Sequence, residues 1–218
     1  MKRYLWLSIF AVAMAFLEAA VVVYLRALYY PNGFEFPIVW ASLDIAVVEL
    51  GRELATVLML LGVCALSGRD RMESFLHFCY VFGVWDIFYY VWLKACLGWP
   101  ASLLTWDILF LLPLPWLGPV LAPVLVAVCL IAGSVLLLRR RARGEPLEIP
   151  RWAWALEIVA GLIVIASFTW SFRVVLEQTV PESFNWPLYW TGMALGIGVF
   201  GVTMARLSGR AASSGRGS

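Results

Sequence analysis

The sequence predicts an all-α fold: a polytopic integral membrane protein whose six transmembrane helices form a bundle, with one short Pro-rich helix, re-entrant or interfacial, on the outer side. Three observations predict it. The chain of 218 residues is 63% hydrophobic and only 14% charged, with a mean hydropathy of +0.87, whereas soluble domains are about a quarter charged and just under half apolar. Six stretches supply the ~20 mostly apolar residues that a helix needs to cross the hydrocarbon core. The basic residues then fall on alternate loops, as the enrichment of Lys and Arg on the cytoplasmic side requires.

The first stretch, Tyr4 to Leu28, follows Lys2 and Arg3. Ala19 and Ala20 offer the small residues of a signal-peptidase site, but the apolar run continues past them to about Tyr30, so the segment reads as an uncleaved first span. Span two, Pro37 to Leu66, opens after the turn signal PNG at 31–33, and span three, Met72 to Leu97, lies between SGRDR at 67–71 and LGWP at 97–100.

The next piece, Ala101 to Leu112, is apolar but short, since a helix of that length rises only about 18 Å. Pro113, Pro115, Pro119 and Pro123 follow it. Prolines break backbone hydrogen bonding, which lipid does not tolerate, so a short helix over 101–112 is expected, either packed against protein or lying on the outer surface. The packed form would bring Asp107 toward the bundle. Spans four to six are Gly118 to Leu138, Trp152 to Leu176 and Pro187 to Leu207, separated by RRRARGEPLEIPR at 139–151 and PESFNWP at 181–187. Residues 1–207 thus make one membrane domain. The tail 208–218, SGRAASSGRGS, is too polar to pack and is expected to be disordered.

Charge tests this order independently. With N and C termini both cytoplasmic, twelve Lys and Arg face inward, three (Arg26, Lys94 and Arg173) face outward, and Arg52 lies mid-span. Tyr29, Tyr30, Trp40, Trp99, Trp106, Trp116, Trp186 and Trp190 then gather at the outer interface, where amphipathic rings settle. The expected location is the plasma (inner) membrane of a bacterial-type cell. The basic run at 139–143 would touch anionic lipid head groups.

Several classes are disfavoured. Cys64, Cys79, Cys96 and Cys129 form no CxxC pair and no zinc spacing, so they read as buried free thiols. His77, the one histidine, reads as structural, and no metal or cofactor is expected. There is no Gly-x-Ser-x-Gly elbow, HExxH, Walker loop or Rossmann glycine pattern, and no feature that points to nucleic acid.

What the apolar background does not explain is DIAVVELGRELATVLML, residues 44–60, with Asp44, Glu49, Arg52 and Glu53. At about 100° per residue all four share half of the helix surface. Glu18 and Arg26 on span one, Asp86, Tyr90 and Lys94 on span three, and Asp107 on the outer segment are candidate partners. Each charge at the bilayer centre costs about 2.5 to 3.5 kcal/mol, so an intramembrane cluster is a functional candidate, with a static ion-pair network as the bland alternative.

The expectation is a polar pocket, open to the extracytoplasmic side, formed by Glu18, Asp44, Glu49, Arg52, Glu53, Asp86, Tyr90 and Asp107, that binds or transports a proton, a cation or a small polar solute. Spans four to six would be scaffold. Alternatives are a membrane-embedded enzyme acting on a lipid or lipid-linked substrate, with Glu49 and Asp86 as acid and base, or an accessory subunit of a larger complex. Partners would be membrane lipids and a homo- or hetero-oligomeric neighbour packed on the Gly192/Gly196 face, although those glycines also suit packing within the bundle.

Overall fold

The computed structural model describes residues 2–30, 43–111, 114–173, 177, 179 and 182–214. Six helices follow in order: α1 (Lys2–Tyr29), α2 (Leu43–Ser67), α3 (Arg71–Leu97), α4 (Leu121–Ala142), α5 (Arg151–Thr169) and α6 (Trp186–Ser214). A two-stranded ribbon, β1 (Trp106–Phe110) and β2 (Trp116–Pro119), stands between α3 and α4. Five helices are long and apolar enough to cross a membrane. The exception is α2, which has the length, at 25 residues, but carries the charges at 44, 49, 52 and 53.

The starts of α1 and α3 and the ends of α4 and α6 meet at a basic rim. At the basic end Arg3 pairs with Glu73 at 3.1 Å, Arg141 with Asp70, and Arg140 with Glu145 at 2.7 Å, while Arg140 also donates to Ser208 at 2.9 Å. Asp70 caps α3 by accepting the Glu73 N–H at 2.9 Å, and the Glu73 carboxylate returns a bond to the Arg69 N–H at 2.9 Å. The other end of α3 stops at Gly98, whose φ of 68° lets its N–H reach the Lys94 carbonyl.

Small residues set the helix pairs. A Cβ on Gly83 would sit 2.7 Å from the Ala127 carbonyl oxygen, so α3 and α4 touch backbone to backbone. On α6, a Cβ on Gly192 would meet Val164 at 2.8 Å and the Ala160 carbonyl at 2.9 Å. Without a hydrophobic drive between helices in lipid, such close approaches supply the packing energy. Gly192 and Gly196 thus face α5 of the same chain. α3 holds α1 and α2 on one side and α4 on the other, over a core that includes Ala11, Ala15, Leu60, Val81 and Trp85.

The short helix expected over 101–112 is not formed. Residues 101–104 make bends and a turn, and Trp106–Phe110 pairs antiparallel with Trp116–Pro119, matching Asp107 with Gly118 and Phe110 with Trp116. The prolines that forbid a helix are tolerated here, because in a two-stranded ribbon every strand is an edge. Gly118 sits in a crowded place: a Cβ there would lie 3.0 Å from the Phe168 ring.

Two other expectations change. α6 runs to Ser214, so the tail begins as helix, consistent with the good helix formers Ala211 and Ala212. The cysteines are all free, but only Cys64 is buried; Cys79 is half-buried, and Cys96 and Cys129 are exposed on the bundle. The turn at 31–33, the first residues of span two at 37–42, the end of the expected short helix at 112, the end of span five at 174–176 and the tail at 215–218 lie outside the described residues.

Candidate functional site

Of the eight residues singled out by sequence, seven are buried or held at the junction of α1, α2, α3 and the ribbon, and one is not. Arg52 is the hub on α2. Its guanidinium pairs with Glu49 one turn earlier at 2.7 Å and with Glu18 on α1, and Thr56 donates to the second Glu18 oxygen at 2.9 Å. Helical spacing puts Glu49, Arg52 and Thr56 on one stripe, and that stripe faces Glu18.

Glu53, on the same face, does a different job. Both its oxygens lie 3.0 Å from the Leu111 N–H, where β1 ends. A two-stranded ribbon leaves edge N–H groups without a strand to pair them, and here a carboxylate from a neighbouring helix takes that place. Glu53 thereby anchors the ribbon to α2.

The third group lies under the ribbon. Asp107, 2% exposed, pairs with Arg26 at 3.4 Å, and Tyr90 on α3 is likewise buried. The Arg26 guanidinium also stacks 3.8 Å from the centre of the Trp99 ring, a cation–π contact. Asp86 is 9% exposed on α3, within electrostatic reach of Asp107. Among the described residues, Oδ2 of Asp86 and Oδ2 of Asp107 are both buried without a hydrogen-bond partner.

Asp44 does not join. It is exposed in the first turn of α2, where its charge suits the helix N-terminus. Lys94, considered as a partner, instead points away and donates to the Gly98 and Pro100 carbonyls at 2.8 Å each. His77 is fully buried at the basic end, bonded to Ser67 at 2.8 Å and packed edge-on against Tyr4, remote from Asp86 on the helix as its spacing implied.

The junction has a surplus of acid. Among the described residues, five carboxylates (Glu18, Glu49, Glu53, Asp86 and Asp107) face two guanidiniums (Arg26 and Arg52), a difference of three. Among the described residues, no three His, Cys, Asp or Glu side chains are grouped to hold a metal ion.

A cavity of about 680 Å³ reaches this junction from the side expected to be mere scaffold. It lies between the α3–α4 pair and the α5–α6 pair and is lined almost wholly by apolar side chains. Asp86 faces it near the ribbon and Glu157 faces it from α5. Glu157 was not among the residues singled out, because a lone acid near a helix end reads as a snorkelling side chain. Gly196 leaves the room beside it: a Cβ there would stand 3.3 Å from the Glu157 carboxylate.

No family model, curated protein or solved structure matches the chain.

Proposed function

We propose that this is a six-span inner-membrane protein with both termini cytoplasmic, and that the Asp86–Asp107 pair beneath the ribbon binds a proton or a cation on a route open to the extracytoplasmic side. The observation that carries the reading is the surplus of three acids, combined with a free buried oxygen on each of the two aspartates. An ion-pair network built for stability alone would give each acid its own counter-charge, whereas here one guanidinium serves both Glu18 and Glu49. Like charges in a site of low dielectric do not both stay ionised unsupported, so a shared proton or an added cation relieves them.

Roles divide accordingly. Asp86 and Asp107 are the ligand groups. Arg26 orients Asp107, Arg52 fixes α1 against α2, and Glu53 holds the ribbon over the site. Transport follows if the site is reached alternately from both faces.

Purified protein sealed into vesicles tests this, with internal dyes reporting H⁺, Na⁺ and K⁺ under an imposed gradient. The expected result is flux well above that of empty vesicles, lost in Asp86→Asn and Asp107→Asn proteins that still fold. Flux equal to empty vesicles for every ion, together with a wild-type melting temperature that no ion or pH between 5 and 9 shifts, refutes the reading.

A further inference from the structure

We infer that the cavity between the α3–α4 and α5–α6 pairs binds the hydrocarbon body of an amphiphilic amine, whose ammonium group meets Asp86. This names a ligand class for the Asp86 site and rests on the reading of that residue as a ligand group.

The cavity is a place for a chain-like apolar molecule. Its wall on α3 runs from Met72 to Asp86, about 21 Å of helix rise. Its volume of about 680 Å³ falls within the roughly 300 to 1,000 Å³ of small-molecule sites. Lined by apolar groups, it is a poor host for water, since dry apolar cavities take up apolar guests instead. At the end nearest Asp86 the lining includes Phe110 and Trp116 of the ribbon, in ring contact with each other, and Trp116 stacks on Phe168.

Charge selects the head group. Among the described residues that line the cavity near the ribbon, two buried polar atoms have no partner: Oδ2 of Asp86, an acceptor on a side chain nine-tenths buried, and the uncharged Nε1 of Trp116. Behind it stands the acid surplus of the junction, and Glu157 adds a second carboxylate to the wall. An anionic lipid head would be repelled there. An ammonium donates hydrogen bonds, carries the missing positive charge and can lie against the Trp116 face.

The test uses the full chain in nanodiscs of zwitterionic lipid, with native mass spectrometry to count bound molecules and a melting curve to read stabilisation. The probes are dodecylamine, dodecanol, dodecanoate and methylamine. Dodecylamine is expected to bind one per chain and raise the melting temperature, with at least tenfold higher affinity than dodecanol or dodecanoate and at least a hundredfold higher than methylamine. Gly161→Leu is the blocking variant: Gly161 lines the cavity, and a Cβ there meets nothing within 4 Å. It should fold normally and lose at least tenfold in dodecylamine affinity. Asp86→Asn should erase the preference for amine over alcohol while keeping the tail.

Equal binding of amine and alcohol by the wild type, or of methylamine and dodecylamine, overturns the inference even if Gly161→Leu misfolds. Amine binding without ion flux leaves this inference standing and removes the transport reading. Amine binding that Asp86→Asn does not alter overturns this inference, while the ion-binding reading stands or falls on the flux measurement.

Discussion

Replacing Arg52 by Met removes a guanidinium that holds two acids and leaves a side chain of similar length in its place. Glu18 and Glu49 are each 9% exposed and lose their ion-pair partner, although Glu18 keeps the Thr56 hydroxyl at 2.9 Å. Hydrogen bonds to charged groups contribute roughly 1.5 to 3 kcal/mol each, and breaking a buried pair while one charge stays costs about 3 to 5 kcal/mol. Because Glu18 retains one partner and Arg52 itself is 21% exposed, a loss of about 3 to 4 kcal/mol is expected, near 10 °C in melting temperature for a chain of this size at roughly 2 to 4 °C per kcal/mol. Reversible unfolding in mixed micelles would measure it, in a cycle with Glu18→Gln. The double variant should recover at least 1.5 kcal/mol of the summed single losses, the signature of direct coupling. Additive single effects, or a loss under 1 kcal/mol for Arg52→Met, would show that Arg52 does not hold the α1–α2 contact.

Three further outcomes follow from the same geometry. Glu53→Leu strips the Leu111 N–H of its acceptor; the unsatisfied group costs about 1 to 3 kcal/mol, and hydrogen exchange should accelerate across 106–119 while α5 and α6 keep their protection. Gly192→Val would drive a side chain into the Ala160 backbone and Val164, so a loss of about 1 to 3 kcal/mol or more is expected in the melting curve, whereas Gly198→Ala, in open space, should cost nothing. At the basic end, the Glu73 N–H and then Arg141 hold the Asp70 carboxyl below its ordinary value of 3.8. Its folded value is thus below its unfolded one, so its stabilisation is complete above about pH 4 and fades as pH falls through the folded value. The melting temperature should drop in that window for the wild type and less for Asp70→Asn. An identical acid limb in both proteins would rule out a contribution from Asp70.

The sequence by itself determined what lipid demands of any chain within it. Runs of apolar residues at span length, broken by Gly, Pro and charge, located all six helices that the structure places in order, five of them apolar enough to cross a membrane and α2 set apart by its four charges. The periodicity of α2 also put Glu49, Arg52 and Glu53 on one face, and the structure finds all three turned inward. Those signals are local, since each depends only on residues a few positions apart.

Tertiary structure decided what depends on distant partners. Whether 101–112 became helix or strand was settled by Trp116–Pro119, which pair with it, and by Glu53, 58 residues before Leu111, which satisfies its edge. No local pattern encodes a partner that far away. Asp44 carries the same charge as its neighbours and lies on the same half-turn, yet only those positioned opposite Glu18, Arg26 or the ribbon were drawn in. The cavity is the clearest case: it exists because Gly83 and Gly192 pull α3 to α4 and α5 to α6, so that the two pairs leave a gap between them, and a gap is a property of packed surfaces rather than of any residue.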